Sequence, residues 1–160
     1  MWSYFLLFLI PAGIAFSPLK GDKYINYMLW TIVGLLCVLL IGLRYEVGVD
    51  WGNYLIYLDD VRWVGLRASV LGAAYGNASA YIALSWVVLQ LGLGIYTVNT
   101  VCAAIFTVGL IKYCQKQPIP WIALAVAMPY VVCVVSMSIT RQATALGFLL
   151  WGLSILRAGN

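Results

Sequence analysis

The chain has 160 residues, of which 64% are hydrophobic and only 9% are charged, whereas roughly 25% of residues are charged in an average soluble domain. This composition excludes a soluble globular domain, and the absence of histidine excludes histidine general-base catalysis. The net charge of +4 comes from lysines and arginines that lie between apolar runs, so no nucleic-acid partner is expected.

Five apolar stretches approach the roughly 20 residues that a membrane-spanning helix needs. The first has no basic residue in its N-terminal region and is followed by no cleavage site of the kind a signal peptide carries, so we interpret it as a retained helix bent at Pro11. The runs are continuous and do not alternate as in a membrane β-barrel. The sequence therefore predicts an all-α, polytopic helical membrane protein with spans at about 2–18, 24–43, 96–112, 119–137 and 142–157.

Residues 44–67 carry seven of the fourteen charged residues, and they form the only sizeable polar segment. We expect 44–95 to be an external loop that carries interfacial helices. The positive-inside rule states that basic residues flanking membrane spans lie in the cytoplasm. Three basic clusters can all be cytoplasmic only if 44–95 contains no complete crossing: Lys20 with Lys23, Lys112 with Lys116, and Arg157. This arrangement has five spans and an external N-terminus. The alternative has six spans, with 78–94 crossing and Arg44 and Arg141 on opposite faces.

The polar segment begins with Arg44 at the end of a long apolar run. An arginine at a membrane boundary is uncommon enough to indicate function. Gly48 and Gly52 allow a tight backbone path around Asp50, and three aromatic residues that could stack on sugars follow: Trp51, Tyr54 and Tyr57. The alternative is an interfacial loop in which Arg44 pairs with Glu46 or Asp50 and the aromatic residues act only as anchors.

A second arginine, Arg141, follows another apolar run in the stretch Ser138-Ile139-Thr140-Arg141-Gln142-Ala143. The hydroxyl groups of this stretch can satisfy backbone groups where a helix breaks. We expect a new helix to start at Arg141, where free N–H groups and the helix dipole favour a phosphate. The alternative is an arginine that extends to the interface without binding a ligand.

The stretch Arg44-Tyr45-Glu46-Val47-Gly48-Val49-Asp50-Trp51-Gly52-Asn53-Tyr54 resembles the R-Y-x-V-G-x-D-Y-x-x-Y signature of the EpsG family of exopolysaccharide polymerases, which are similar to Wzy-type O-antigen polymerases. Trp51 stands where the family usually has tyrosine. The stretch around Arg141 resembles the family's second signature, I-R-Q followed by a helix of small residues. The resemblance covers the N-terminal half of the family's members. We therefore expect 1–160 to be a single membrane domain, the N-terminal half of a longer polymerase.

This resemblance implies an enzyme that joins oligosaccharide repeat units carried on undecaprenyl pyrophosphate, at the external face of the bacterial cytoplasmic membrane. A hydroxyl of one unit would attack the anomeric carbon of another, and the lipid pyrophosphate would leave. Arg44 and Arg141 would stabilise the leaving pyrophosphate, and Asp50 would accept the proton. The substrate-binding residues that it implies are Tyr45, Trp51, Tyr54 and Gln142.

No cofactor is expected, because the pyrophosphate linkage supplies the energy. We predict no metal site, although Asp50, Asp59 and Asp60 would allow one. The implied partners are the lipid-linked oligosaccharide, membrane lipids, a flippase and a chain-length regulator. Two other functions remain open: a flippase-like transporter that binds the anionic headgroup of a lipid-linked sugar, and a structural subunit that would tolerate lysine at both arginine positions.

Overall fold

The computed structural model describes residues 2–48, 50–65 and 79–156, and every regular element in these ranges is helical. The predicted all-α fold is confirmed for these residues. Helices suit long apolar runs because they satisfy every backbone polar group within one segment. The elements in chain order are α1 (Trp2–Phe16), a 3-10 turn (Pro18–Gly21), α2 (Lys23–Gly42), α3 (Trp51–Val64), α4 (Ser79–Gln90), α5 (Ile95–Gln115), α6 (Pro120–Ala127, continued as a π-helix over Met128–Ser136) and α7 (Thr140–Leu156).

Two helices, α2 with 20 residues and α5 with 21, are long and apolar enough to cross a membrane. They correspond to the spans predicted at 24–43 and 96–112. The other three predicted spans are helical but shorter, near or below the lower limit of about 17 residues for a crossing helix. Helix α1 has 15 residues, α6 has 8 followed by 9 in the π-helix, and α7 has 17. The number of five spans stays a prediction.

Helices α2 and α5 pack against each other in opposite directions. A Cβ added to Gly34 would lie 2.8 Å from Cδ1 of Ile111, and one added to Gly42 would lie 2.6 Å from Oγ1 of Thr100. The last residue of α2 therefore meets the first turns of α5. The segment that connects α2 to α5 therefore begins and ends at the same end of the bundle, as the five-span arrangement requires.

The opposite end of the bundle is fixed by a pair of tryptophans. Trp121 at the start of α6 stacks on Trp30 of α2 with ring centroids 4.1 Å apart, and its indole N–H donates to Oδ1 of Asn26 at 2.9 Å. Lys23 lines a surface cleft with these residues. We call this the lysine end (23–30 and 111–121). The other end (42–48, 95–100 and 136–141) is the arginine end.

Helices α5 and α7 lie in backbone contact and run in the same direction. A Cβ added to Gly147 of α7 would lie 2.6 Å from Cα of Phe106, and one added to Gly109 would lie 2.9 Å from Cα of Gly147. Small residues at a crossing point let membrane helices approach this closely. Arg141 at the start of α7 lines a cavity with Val101 and Cys102 in the first half of α5, so α7 leaves the arginine end and passes along α5 towards the lysine end.

Helix α6 runs from the lysine end back to the arginine end and changes from an α-helix into a π-helix over Met128–Ser136. Pro129 stands at the second position of this segment. Proline has no N–H and collides with the carbonyl of the preceding turn, so a regular α-helix is disfavoured here. The π-helix ends at Ser136, shortly before α7 begins at Thr140, and so brings the chain to the arginine end.

The predicted external loop contains α3 and α4, which pack on the first half of α5. Tyr54 and Leu58 of α3 and Tyr81 of α4 share a buried cluster with Val98 and Cys102 of α5. Helix α4 has 12 residues and is therefore only about 18 Å long, against a bilayer core of about 30 Å. Residues 66–78 of this loop, and Arg157, lie outside the described residues, so the external placement of 44–95 stays a prediction.

The two ends of the bundle are expected to lie on opposite sides of the membrane. We expect an impermeant maleimide to label Leu93→Cys at the arginine end in intact cells and to label Lys116→Cys only after permeabilisation. Both positions are exposed, and both variants are made in a chain that lacks its four native cysteines. Cys114 cannot serve as the reporter because it is buried. Labelling of Lys116→Cys in intact cells would contradict the five-span arrangement.

Candidate functional site

Arg44 lies two residues beyond α2 and is only 5% exposed. One of its terminal nitrogens donates to the carbonyl oxygen of Ser136 at 3.0 Å, and the other donates to Oγ1 of Thr140. The guanidinium therefore joins the end of α2 to both sides of the break between α6 and α7. In the described part of the chain no ion pair joins Arg44 to Glu46 or Asp50, so the loop interpretation based on such a pair is not supported.

The charge of Arg44 survives this burial. Removal from water lowers the pKa of the guanidinium, and the neighbouring Tyr54 and Tyr81 act in the opposite direction. The ordinary pKa of arginine is so high that the guanidinium remains protonated in proteins. Its Nε atom is buried and has no hydrogen-bond partner among the described residues.

The turn after Arg44 presses directly on the segment before Arg141. Gly48 has φ of +104°, and a Cβ added there would overlap the carbonyl oxygen of Met137 and lie 2.9 Å from Cα of Ser138. Only glycine combines this backbone conformation with so close an approach. The two signature stretches are therefore in contact, although about ninety residues separate them in the sequence.

The Gly48→Ala variant is expected to have a clearly lower Tm in detergent. The left-handed conformation alone costs about 1–2 kcal/mol for a residue with a Cβ, and the overlap with Met137 adds to this cost. Gly52→Ala is the matched control, because a Cβ there meets nothing within 4 Å and alanine is favoured over glycine in a helix by roughly 0.5–1 kcal/mol. Equal Tm values for the two variants would show that the turn does not pack on residues 137–138.

Helix α7 begins at Thr140, so the predicted new helix beside Arg141 is confirmed. The first N–H groups of a helix have no partner within the helix. The backbone N–H of Arg141 donates to the hydroxyl oxygen of Tyr54 at 3.4 Å, and Tyr54 is only 1% exposed. A tyrosine of the first signature thus contacts the start of the helix that carries the second.

The side chain of Arg141 has different surroundings from that of Arg44. Its guanidinium carbon lies 5.4 Å from the ring centroid of Tyr57, within the range of a cation–π interaction. Among the residues that the structure describes, this guanidinium has no hydrogen-bond partner. Arg141 also lines a cavity of about 440 Å³ together with Tyr81, Cys102 and Thr144. Arg141 is therefore the arginine that can face a ligand.

The aromatic rings of α3 and its neighbours form two groups. On the outside, Trp51 lies 6.2 Å from Tyr45 and 6.2 Å from Tyr96, between ring centroids. Tyr45 is 65% exposed, and a hydrogen bond to the carboxylate of Glu46 raises the pKa of its hydroxyl. The face formed by Tyr45, Trp51 and Tyr96 is the outer aromatic face. Its rings could stack on sugars, as predicted for Tyr45 and Trp51.

On the inside, Tyr54 lies between two other tyrosines. Its ring centroid is 6.1 Å from that of Tyr57 and 5.2 Å from that of Tyr81. Tyr54 is almost fully buried and accepts a hydrogen bond from the Arg141 backbone, so it supports the start of α7. Its predicted contact with substrate stays a prediction.

The remaining predicted residues lie around this centre. Asp50 directly precedes α3, is partly exposed, and accepts a hydrogen bond from Nδ2 of Asn53 at 3.3 Å. Gln142 is exposed in the first turn of α7, and Asp59 is exposed on α3. No three histidine, cysteine, aspartate or glutamate side chains gather as metal ligands within the described residues.

Sequence reasoning missed several polar groups on the inner side of the site. The Tyr81 hydroxyl and both side-chain polar atoms of Asn99 are buried and have no partner in the described ranges. Tyr96, which completes the outer aromatic face, was also missed. The sequence alone could have indicated Asn99, because burying a side-chain amide in a long uncharged run is costly unless the amide forms hydrogen bonds. Tyrosines in an apolar run carry no such signal, since they are also typical of interfacial belts.

In the comparison with protein families, the model of the EpsG family matches residues 27–160. The matched range includes both signature stretches, most of α2 and all of the described helices from α3 to α7. No curated protein and no solved structure matches the chain.

Proposed function

The chain belongs to the EpsG family, and on that premise we propose that it joins undecaprenyl-pyrophosphate-linked oligosaccharide repeat units on the external face of the bacterial cytoplasmic membrane. Family membership indicates a membrane protein of polysaccharide biosynthesis with a polymerase type of function. Beyond this, we propose that the repeat units are carried on undecaprenyl pyrophosphate, that the protein crosses the bacterial cytoplasmic membrane several times, and that it catalyses a glycosyltransferase reaction.

One observation carries this proposal: the two arginine-bearing stretches meet at one end of the bundle. Arg44 bonds to Ser136 and Thr140, and the Arg141 N–H bonds to Tyr54. Arg141 lines an apolar cavity, and Tyr45 of the outer aromatic face directly follows Arg44 in the chain. A lipid-linked sugar has the matching chemistry, with an apolar tail, an anionic pyrophosphate and a sugar.

In the proposed reaction a sugar hydroxyl of one lipid-linked unit attacks the anomeric carbon of another. The new C–O bond replaces the bond from that carbon to the pyrophosphate, which leaves with its electron pair. Arg141 would stabilise the negative charge of the leaving group, since a guanidinium binds phosphate oxygens through two parallel hydrogen bonds. Asp50 would accept the proton that the attacking hydroxyl loses.

Arg44 is better suited to a positioning role than to direct contact with pyrophosphate. Its terminal nitrogens are already bonded to Ser136 and Thr140, and its side chain is almost fully buried. It would hold the start of α7 so that Arg141 stays oriented, and its charge would add to the local positive potential. Its predicted contact with the leaving group stays a prediction.

The incoming sugar would rest on the outer aromatic face. Tyr45 and Trp51 are adjacent there, and Asp50 directly precedes Trp51 in the chain. Gln142 is exposed on the first turn of α7 and would donate to a sugar hydroxyl. A flippase would supply the lipid-linked units and a chain-length regulator would limit the product.

The experiment that tests this function is deletion of the gene, followed by extraction of lipid-linked sugars. We expect long polymer to disappear and single repeat units on the lipid carrier to accumulate on the external face, where an added glycosidase can reach them. Accumulation on the cytoplasmic face would identify a flippase-like transporter instead. Unchanged polymer would reject both functions.

Asp50→Asn is expected to reduce polymer synthesis by about 10²-fold or more at matched expression, because a general base typically contributes 10²–10⁴-fold. Asparagine keeps the size of the side chain and one acceptor oxygen but cannot take a proton. Asp59→Asn is the matched control, since Asp59 is exposed on α3, and it should leave polymer length unchanged. Normal polymer from Asp50→Asn would show that another group accepts the proton.

A further inference from the structure

The cavity beside Arg141 is lined mainly by apolar side chains from α4, α5 and α7. Its walls include Leu84, Val101, Ile105 and Phe148. Its volume of about 440 Å³ lies within the range of about 300–1,000 Å³ that is usual for ligand sites. Phe148 is 57% exposed, and two more lining residues, Ala80 and Ala145, are also exposed. The cavity therefore opens sideways, on the surface that a lipid bilayer would cover.

One polar group lies inside this apolar wall without a partner. The Tyr81 hydroxyl is buried and unpaired among the described residues, and Tyr81 is 7% exposed. A buried hydroxyl without a hydrogen bond is costly, so such a group indicates a missing ligand. Arg44 and Arg141 both act electrostatically on this hydroxyl. An anion placed beside Tyr81 would therefore meet a free donor and two positive charges.

Resting on the proposed function, we propose that this cavity receives the first isoprene units of the polyprenyl carrier, with the carrier phosphate held by Arg141 and the Tyr81 hydroxyl. The apolar walls match the hydrocarbon, and the charge of Arg141 matches the phosphate at its end. The lateral opening lets the rest of the long tail remain in the membrane. The sugar would then extend from the phosphate towards the outer aromatic face.

The test uses the complete protein in lipid nanodiscs and a photoactivatable polyprenyl phosphate that carries no sugar. Irradiation should label residues of the cavity wall, as read by mass spectrometry. Ala145→Trp fills the cavity from an exposed position and should reduce labelling about tenfold. Val126→Trp is the matched control, because Val126 is 72% exposed on α6 and away from the cavity. Equal labelling of the two variants would overturn the proposal.

Tyr81→Phe separates the phosphate contact from the hydrocarbon contact. Loss of one hydrogen bond to a charged group should weaken binding of the polyprenyl phosphate about tenfold. Binding of the corresponding polyprenyl alcohol, which has no charge, should be unchanged. Equal effects on both probes, or none on either, would overturn the role of the hydroxyl.

Competition identifies the occupant. Unlabelled undecaprenyl pyrophosphate should prevent labelling, whereas phosphatidylglycerol and inorganic pyrophosphate at the same concentration should not. Equal competition by phosphatidylglycerol would indicate a general lipid surface, and full competition by inorganic pyrophosphate would indicate a headgroup site without a tail. Either result overturns the proposal.

Polymer synthesis in cells that lack the gene tests the polymerase function independently of the cavity. If polymer is unchanged in these cells but Ala145→Trp reduces labelling of the purified protein, the polymerase function is rejected and the cavity proposal stands. If polymer is lost but Ala145→Trp leaves labelling unchanged, the cavity proposal is rejected and the polymerase function stands.

Discussion

Arg141→Lys is expected to abolish long-chain polymer in the complete protein while its Tm in detergent stays the same. Lysine keeps the charge but lacks the planar pair of donors that fits a phosphate. Removing one preorganised donor from a developing negative charge typically costs about 10²–10³ in rate. Stability should not change, because the Arg141 guanidinium makes no hydrogen bond to any residue in the described ranges, and lysine keeps the positive charge near the Tyr57 ring.

Arg62→Lys is the matched control for this prediction. Arg62 is an exposed arginine in the last turn of α3, so the same substitution there should leave both polymer and Tm unchanged. The measurements are the chain-length distribution of the polymer and thermal unfolding of the purified protein. A normal chain-length distribution from Arg141→Lys would show that its guanidinium does not act on the pyrophosphate.

Arg44→Lys is expected to lower the Tm and to abolish polymer as well. A single ammonium group cannot reproduce the planar pair of bonds to the Ser136 carbonyl and the Thr140 hydroxyl. One lost hydrogen bond to a charged group costs about 1.5–3 kcal/mol, which corresponds to a Tm lower by about 5 °C for a chain of this size. Polymer would be lost because the start of α7 is no longer held in place.

Thr140→Val tests whether Arg44 acts through this contact. It removes the hydroxyl at similar volume and should lower the Tm in the same direction. The double variant should be less destabilised than the sum of the two single variants, since both remove one interaction. If Arg44→Lys loses polymer at an unchanged Tm, then Arg44 contacts the substrate directly and the positioning role is wrong.

The helices of the bundle could be predicted closely because their causes are local. The span predicted at 24–43 is Lys23–Gly42 in the structure, and its start is set by Asp22, whose side chain accepts hydrogen bonds from the N–H groups of Tyr24 and Ile25. The widening of α6 over Met128–Ser136 could not be predicted. Pro129 indicates a disturbed helix, but whether the chain bends, breaks or widens depends on what packs around it.

The candidate site could be predicted only in part. The distribution of basic residues placed Arg44 and Arg141 on one face, and the structure brings both to one end of the bundle. The hydrogen bond from Arg44 to Thr140 joins residues 96 positions apart. A local sequence pattern cannot predict a contact between residues so far apart. The role of Tyr81 was hidden for a related reason. A tyrosine in an apolar run is indistinguishable from a packing residue until its hydroxyl is seen to lack a partner.

The bonds between Arg44 and the start of α7 also set an order of assembly during synthesis. Ribosomes add about 5–20 residues per second, so Arg44 leaves the ribosome roughly 5–20 seconds before Thr140, its partner 96 residues later. Throughout that interval the arginine has neither Ser136 nor Thr140 to bind. The arginine end therefore cannot close before the start of α7 has been made, and the wall that α7 contributes to the cavity follows it. The cavity is thus incomplete in a nascent chain until α7 has been made.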